Sequence, residues 1–124
     1  MPSIGATPAE RGQRAEQAVA EYLEASGFSI VARNLRLGRL EIDIVARRQE
    51  LIVVVEVRTR GDGAWTTALG SLDRAKQERI RRAGQRLWRQ RFQRDASIER
   101  LRFDAASVRF LEGRAEVEYV PAAF

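Results

Sequence analysis

Apolar residues near the start of the chain follow a helical repeat. They recur at the spacing i, i+3, i+4, i+7 and i+8, at Ala15, Ala18, Val19, Tyr22 and Leu23. The segment Thr7–Glu10 before them has the pattern of a helix start, with a threonine cap, a proline in the first position and a glutamate three residues after the cap. Gly27 is a typical stop. The pattern predicts a first helix from about Pro8 to Ser26.

Three strands are predicted after this helix. Alternating apolar residues predict a strand over about 28–35. Two further runs, Leu40–Ala46 and Leu51–Arg58, are joined by the polar residues 47–50 and are typical of a hairpin. The second of these runs begins Leu-Ile-Val-Val-Val-Glu-Val and is apolar on both faces, so we expect it at the centre of a sheet that is covered on both sides.

A second helix and two more strands complete the pattern. The glycine-bearing segment Gly61–Gly70 predicts a loop, and either Ser71 or Asp73 can cap the helix that follows it. The apolar stripe of this helix ends near Phe92. Alternation predicts two short strands around 101–105 and 117–119, separated by a turn.

The element order of helix, three strands, helix and two strands predicts the fold class. It is typical of a single α/β domain with a mixed sheet of about five strands and helices packed on it. At 124 residues the chain has room for one core, so one domain is expected over 1–124, with residues 1–7 flexible.

Composition restricts the chemistry. The chain has no cysteine and no histidine, which excludes disulfides, Cys/His zinc sites and imidazole bases. The net charge is +5, and Lys76 is the only lysine among 22 basic residues, so we expect polyanionic partners. The arginine excess also fits a GC-rich genome. No targeting or membrane-spanning segment is recognisable, which predicts a soluble, cytoplasmic protein.

Two carboxylates interrupt apolar strands. Asp43 lies between two isoleucines and Glu56 between two valines, positions where a carboxylate needs a cationic partner, a raised pKa or a metal. If residues 47–50 form the hairpin loop, odd positions of the second strand share a sheet face with even positions of the third. That face carries Glu41, Asp43, Glu56 and Arg58. Converging carboxylates favour a hard cation such as Mg²⁺ or Mn²⁺, while ion pairs of Glu41 and Glu56 with arginines are the alternative.

The two helices carry further candidates. Glu16 borders the apolar stripe of the first helix and could reach the sheet, or could be an ordinary surface glutamate. Lys76 lies four residues before Ile80 on the inward stripe of the second helix, and Gln77 borders the same face. An inward lysine is a candidate for catalysis, and a snorkelling lysine at a helix start is the alternative.

Nucleic-acid contacts are predicted on the second helix and on the loop before it. Arg74, Arg81 and Arg82 belong to a set of arginines that encircles this helix, so only some can face phosphates. Trp65 in the loop could stack on a base or wedge a junction, and it could equally anchor the loop on the core.

Several motifs resemble those of a known family. They are Gly12 with Glu16, then the segments 32–35, 40–45 and 54–60, and Lys76-Gln77. Together they resemble the YraN-type family of uncharacterised bacterial proteins over residues 11 to 110. That family is assigned to the PD-(D/E)xK, restriction-endonuclease-like superfamily, near the archaeal Holliday-junction resolvases.

The resemblance implies a metal-dependent endonuclease-like protein. Asp43 and Glu56 would be ligands of Mg²⁺ or Mn²⁺ with the Val57 carbonyl, and Glu16 a third acidic group. The implied substrate is nucleic acid, with DNA expected, and resolvase-like kin imply a homodimer.

Two positions depart from the family pattern. Leu40 replaces a glycine, and Arg58 replaces the lysine of the Glu-x-Lys element. Arginine keeps the charge but cannot exchange a proton with water. Lys76 is placed to substitute for that lysine. The alternatives are a catalytically impaired nucleic-acid-binding module of the same fold and a basic interaction protein with no nucleic-acid role.

Overall fold

Helix α1 extends over Pro8–Ala25 in the computed structural model, which describes residues 7–60 and 72–124. The Thr7 hydroxyl accepts a hydrogen bond from the Glu10 N–H at 3.1 Å, as the capping pattern predicts. Ala15, Val19 and Leu23 of the apolar stripe are buried against the sheet, while Tyr22 is exposed. The chain reverses at Gly27, whose φ of 91° suits glycine. The predicted first helix is confirmed to within one residue.

Five strands form one mixed sheet. They are β1 (Ser29–Leu37), β2 (Leu40–Arg48), β3 (Leu51–Thr59), β4 (Arg100–Leu111) and β5 (Arg114–Val120). The spatial order equals the sequence order, and only the β3–β4 pair is parallel. The predicted order of helices and strands is confirmed, and β3 lies at the centre of the sheet as expected. This is the single α/β domain with a mixed sheet of about five strands that the element order predicts.

Helix α2 connects the two parallel strands. It extends over Arg74–Leu87 and continues as a π-helical turn over Trp88–Phe92, so the predicted end near Phe92 is confirmed. The Asp73 carboxylate accepts a hydrogen bond from the Lys76 N–H at 2.8 Å, which makes Asp73 the cap. The other proposed cap and the predicted glycine-bearing loop lie outside the described residues.

The two helices cover opposite faces of the sheet. Strand β3 supplies Ile52 and Val54 to a core beneath α2 and Val53 and Val55 to a second core beneath α1. All four side chains are buried, which explains why this strand is apolar at every position. Within residues 7–60 and 72–124, neither helix has the length and apolarity needed to cross a membrane.

The predicted hairpin loop over residues 47–50 is wrong. Arg48 pairs with Leu51, so the turn contains two residues, and Gln49 adopts a φ of 54°. Arginines at 47 and 48 suggested a loop because they are polar, but each has partners outside the sheet. Arg47 donates to the Ser97 hydroxyl, and Arg48 lies over the Phe28 ring. The pairing differs from the expected one by two residues, so odd positions of β2 still pair with even positions of β3.

Candidate functional site

A cleft of about 220 Å³ opens between β2, β3 and the first turns of α2. Its lining combines acidic side chains from the strands with basic side chains from the helix and the β1–β2 turn. The lining residues are Arg39, Leu40, Glu41, Asp43, Glu56, Lys76, Arg79 and Ile80. The predicted convergence of Asp43, Glu56 and Lys76 is therefore observed in the fold.

Asp43 and Glu56 contact each other at this cleft. Their carboxyl groups share a hydrogen bond, and Asp43 Oδ2 also accepts from the Val57 N–H at 2.8 Å. Glu56 is only 9% exposed. Burial, and then the hydrogen bond and negative charge of Asp43, raise the pKa of Glu56 to about 8. In the absence of a metal ion, the pair therefore retains a proton at neutral pH.

The two strands separate where these carboxylates lie. Paired residues between β2 and β3 extend from Arg48 and Leu51 to Ile44 and Val55. Continuing this register by one residue places Asp43 opposite Glu56. There the Val57 N–H is bonded to the Asp43 side chain. The ladder of paired residues thus ends where the two carboxylates line the cleft.

Glu16 approaches the same point from α1. It is half-buried, and one of its oxygens, Oε1, is fully buried without a hydrogen-bond partner among the described residues. Burial and then the charge of Asp43 raise the pKa of Glu16, while a hydrogen bond with Asn34 opposes the change. The predicted reach of Glu16 towards the sheet is observed, although it does not line the cleft itself.

Asn34 lies in one of the sequence motifs, segment 32–35, but the sequence assigned no role to it. It adopts a φ of 51° within β1, between the pairs Arg33–Ile44 and Leu35–Ile42, which brings it opposite Asp43. Its side chain is hydrogen-bonded to Glu16. Asparagine tolerates this left-handed conformation better than other residues with a Cβ. A non-glycine residue in a left-handed conformation inside a strand is the available signal, and it becomes visible only in three dimensions.

Replacing Asn34 should separate its two contributions. Asn34→Ala loses the hydrogen bond to Glu16 and forces alanine into the left-handed region, so we expect it to lower the free energy of unfolding by about 1 to 2 kcal/mol. Asn34→Gly loses the same hydrogen bond without backbone strain and should lower it less. Urea denaturation checks both. If both variants lowered the free energy of unfolding equally, the left-handed backbone at residue 34 would not strain the alanine variant.

Two basic side chains act on the acidic pair. The charges of Lys76 and then Arg58 lower the pKa of Glu56, against the larger effect of burial. Lys76 is half-buried and lines the cleft, which agrees with its predicted inward position. Gln77 does not line the cleft. Its side-chain amide donates to the Leu72 carbonyl at 3.1 Å and stabilises the start of α2.

Arg39 and Arg79 add two cations to the rim of the cleft. The sequence marks Arg39 only as part of a turn and Arg79 only as one of many helix arginines. Arg86 donates a hydrogen bond to the Leu37 carbonyl at 3.1 Å. Gly38 has a φ of 68°, and a Cβ at this position would lie only 2.8 Å from the Arg86 guanidinium, so glycine permits the close approach. This contact fixes the β1–β2 turn against α2 and so places Arg39 at the cleft.

The predicted nucleic-acid contacts differ in their surroundings. Arg74 and Arg82 are exposed on α2. Arg81 is paired with Glu78 at 3.4 Å and lies 5.8 Å from the centre of the Phe124 ring, so it is the least available of the three. Trp65 lies outside the described residues.

The donor atoms at the cleft fit a hard divalent ion with retained water. Asp43 and Glu56 offer carboxylate oxygens and hold a proton that a cation can replace. Within the described ranges, no three acidic side chains come close enough together to surround an ion by themselves. Glu41 is exposed and paired with Arg36 at 3.4 Å. Mg²⁺ is commonly bound by one or two carboxylates plus water and substrate oxygens, so two carboxylates suffice.

Comparisons with known proteins place these residues inside a family. The model of the uncharacterised protein family UPF0102 matches residues 15–108. A UPF0102 protein of Sorangium cellulosum (strain So ce56) is 58% identical over 114 residues, covering 91% of this chain and 79% of the relative. One of Myxococcus xanthus (strain DK1622) is 38% identical over 122 residues, covering 96% and 94%. The matched range includes Glu16, Asn34, Asp43, Glu56 and Lys76.

Proposed function

The chain belongs to the uncharacterised protein family UPF0102, and we propose that it is a metal-dependent endonuclease-like protein that hydrolyses phosphodiester bonds in nucleic acid. The observation that carries this proposal is the carboxyl pair of Asp43 and Glu56, hydrogen-bonded and set in a cleft with basic side chains around it. Acidic groups that bind a cation and basic groups that bind phosphate are the two requirements of such a reaction. The net charge of +5 favours a polyanionic substrate, and DNA is the substrate we expect.

Asp43 and Glu56 would hold the ion, Mg²⁺ or Mn²⁺. Both are oxygen donors, and the proton shared between them would leave when the cation binds. The Val57 carbonyl is the proposed third protein ligand. The N–H of the same residue donates a hydrogen bond to Asp43. When bound, the ion supplies an activated water and stabilises negative charge on the phosphate.

The basic residues of the cleft have a separate task. In hydrolysis, water oxygen bonds to phosphorus while the bond from phosphorus to one ester oxygen breaks, and negative charge increases on the phosphoryl oxygens. Lys76 and Arg58, both close enough to Glu56 to lower its pKa, would stabilise that charge. Arg39 and Arg79 on the rim would position the phosphate. Glu16 would orient water, and Asn34 would hold Glu16 in place.

Lys76 should contribute to the rate more than to binding. We expect Lys76→Ala to lower metal-dependent cleavage about 100-fold or more, because it removes charge stabilisation in the transition state. The affinity for nucleic acid should change less, since Lys76 is half-buried in the cleft and the exposed arginines of α2 would supply most of the phosphate contacts. Single-turnover cleavage and a binding titration in EDTA measure the two quantities. Arg94→Ala, an exposed cation beyond α2, is the control and should change neither.

The alternative function is a nucleic-acid-binding module that has lost turnover. It is favoured by Arg58 at the position where the family pattern has lysine. Arg58→Lys distinguishes the two functions. If the natural protein is an enzyme, the variant should retain or increase its activity. If the variant cleaves and the natural protein does not, the binding module is the correct function.

A cleavage assay tests the proposed function directly. The protein is incubated with labelled single-stranded, duplex and four-way-junction DNA, with Mg²⁺, with Mn²⁺ and with EDTA. We expect cleavage of at least one substrate with metal and none with EDTA. Glu56→Gln, prepared in the same way, should be inactive and so exclude a contaminating nuclease. Equal cleavage by Glu56→Gln, or no cleavage of any of these substrates by the natural protein, would contradict the proposal.

Binding to DNA should depend steeply on salt and weakly on sequence. The logarithm of the affinity for duplex DNA should fall linearly with the logarithm of salt, by roughly 0.9 for each phosphate contacted. Arg82→Gln should reduce this slope and weaken binding to all sequences alike, because Arg82 is exposed on α2. Arg94→Gln makes the same charge change elsewhere and should have a smaller effect. Fluorescence anisotropy at several salt concentrations is the measurement, and a flat dependence would contradict it.

A further inference from the structure

A second concavity lies between the C-terminal half of α2 and the beginning of β4. It has a volume of about 390 Å³ and is lined mostly by apolar side chains, with Gly84 and Trp88 on the helix and Leu101 and Phe103 on the strand. We call it the α2–β4 groove. None of its lining residues belongs to the acidic cleft. Its volume lies in the range of about 300 to 1,000 Å³ that is usual for small-ligand sites.

Gly84 explains the close packing of helix and strand at this groove. It is buried, and a Cβ at this position would lie 2.5 Å from a carbon of the Phe103 ring. The Phe103 ring also packs on Phe124, whose ring centre is 5.5 Å away in a stacked arrangement. The aromatic wall of the groove is therefore fixed in position before any ligand binds.

The rim of the groove is basic and polar. Arg89 and Arg100 are exposed at its edges, and Gln85 adds an exposed amide. No acidic side chain lines the groove. The combination is a flat aromatic interior, an amide that can donate and accept, and two cations at the entrance.

We propose that the α2–β4 groove binds an unpaired base of a single-stranded nucleic-acid segment. The base would stack against Trp88, beside the Phe103 ring, since aromatic side chains bind bases of any sequence through their faces. Gln85 would hydrogen-bond to the base edge, and Arg89 and Arg100 would contact the flanking phosphates. An apolar peptide would gain nothing from the two cations at the rim, whereas a polyanion is complementary to them.

The position of the groove on α2 connects it with the acidic cleft. The cleft is lined by residues of the first turns of α2 and the groove by residues about eight positions later. Eight residues of helix span about 12 Å, which corresponds to about four nucleotides of a stacked strand. A single strand held in the groove could therefore continue to the cleft. This inference rests on the proposed nucleic-acid substrate but not on cleavage.

Trp88 provides the measurement. In a Trp65→Phe protein, Trp88 is the only tryptophan, and its emission is recorded in EDTA during titration with a ten-residue thymidine oligonucleotide. We expect saturable quenching. An abasic oligonucleotide of the same length carries the same phosphates without bases and should bind more weakly and quench little. Losing one base stack is expected to lower the affinity by about 5- to 150-fold.

Two charge-matched variants locate the binding. Gln85→Glu places a negative charge at the rim of the groove, and Gln90→Glu makes the same change at an exposed position outside it. We expect the first to weaken oligonucleotide binding about 5-fold more than the second. Neither variant removes a buried side chain, so both should fold.

Three results would overturn the proposal. The first is equal quenching by the abasic oligonucleotide, which would show a phosphate site only. The second is an equal effect of Gln85→Glu and Gln90→Glu. The third is a dimer in sedimentation that Gln85→Glu dissociates, which would make the groove an interface between copies. Because EDTA prevents metal-dependent cleavage, none of these results depends on whether the acidic cleft is catalytic.

Discussion

Glu56→Gln should abolish binding of Mn²⁺ to this protein, and Asp43→Asn should do the same. Each change removes one of the two carboxylates at the cleft while keeping the size of the side chain. An ion bound by two protein carboxylates and water loses half of its compensating charge in either variant. We expect the affinity measured by calorimetry to fall more than about 100-fold.

Glu41→Gln is the matched control for this titration. Glu41 lines the same cleft but is exposed and paired with Arg36, so its removal should change the Mn²⁺ affinity only slightly. If Glu56→Gln retained the natural affinity, the ion would have to bind elsewhere. If Glu41→Gln abolished binding, Glu41 would be the ligand, and the role of the buried pair would be wrong.

The metal-free protein should lose stability as the pH rises, and Glu56 should be the main cause. Burial and then Asp43 raise the pKa of Glu56 from 4.5 to about 8 in the folded protein. The folded state therefore retains a proton that the unfolded chain releases above pH 4.5. This contribution to stability is complete below pH 4.5 and is lost as the pH rises to about 8. Each tenfold difference in proton affinity corresponds to about 1.4 kcal/mol, so the loss is about 3 to 5 kcal/mol.

Urea denaturation in EDTA between pH 4.5 and pH 9 measures this loss. Glu56→Gln resembles the protonated side chain at every pH, so its free energy of unfolding should exceed that of the natural protein by about 3 to 5 kcal/mol at pH 9. The two proteins should converge near pH 4.5. Glu41→Gln should follow the natural protein throughout. If Glu56→Gln were less stable than the natural protein at pH 9, the folded protein would not raise the pKa of Glu56.

The acidic pair could be predicted from the sequence even though the predicted hairpin loop was too long. The alternation of side chains along a strand decides which residues share a face, and the error in the loop did not change it. The expected pairing was displaced by two residues, and a shift of two leaves each side chain on its original face. Asp43 and Glu56 therefore met as predicted, although the turn contains two residues and not four. Capping patterns also predicted the first helix well, because Thr7 and Pro8 act locally. The resemblance to the YraN-type family is confirmed by the match to UPF0102.

The remaining parts of the site depend on contacts between distant segments. Arg39 reaches the cleft because the β1–β2 turn is fixed against α2. Arg86 fixes it by donating a hydrogen bond to the Leu37 carbonyl, which lies 49 residues earlier in the chain. Asn34 faces Glu16 because of a left-handed backbone conformation that asparagine permits but does not require. The sequence does not distinguish Arg81 from Arg82 as a phosphate contact, whereas the structure pairs Arg81 with Glu78. Neither periodicity nor composition contains such information.

The most direct test is the position of Mn²⁺ in a crystal of the natural protein soaked in that ion, read from an anomalous difference map. We expect a single strong peak at the cleft, about 2.0 to 2.3 Å from a carboxylate oxygen of Asp43 and from one of Glu56. A peak that contacts only one of these side chains, or a map with peaks only elsewhere on the surface, would contradict it.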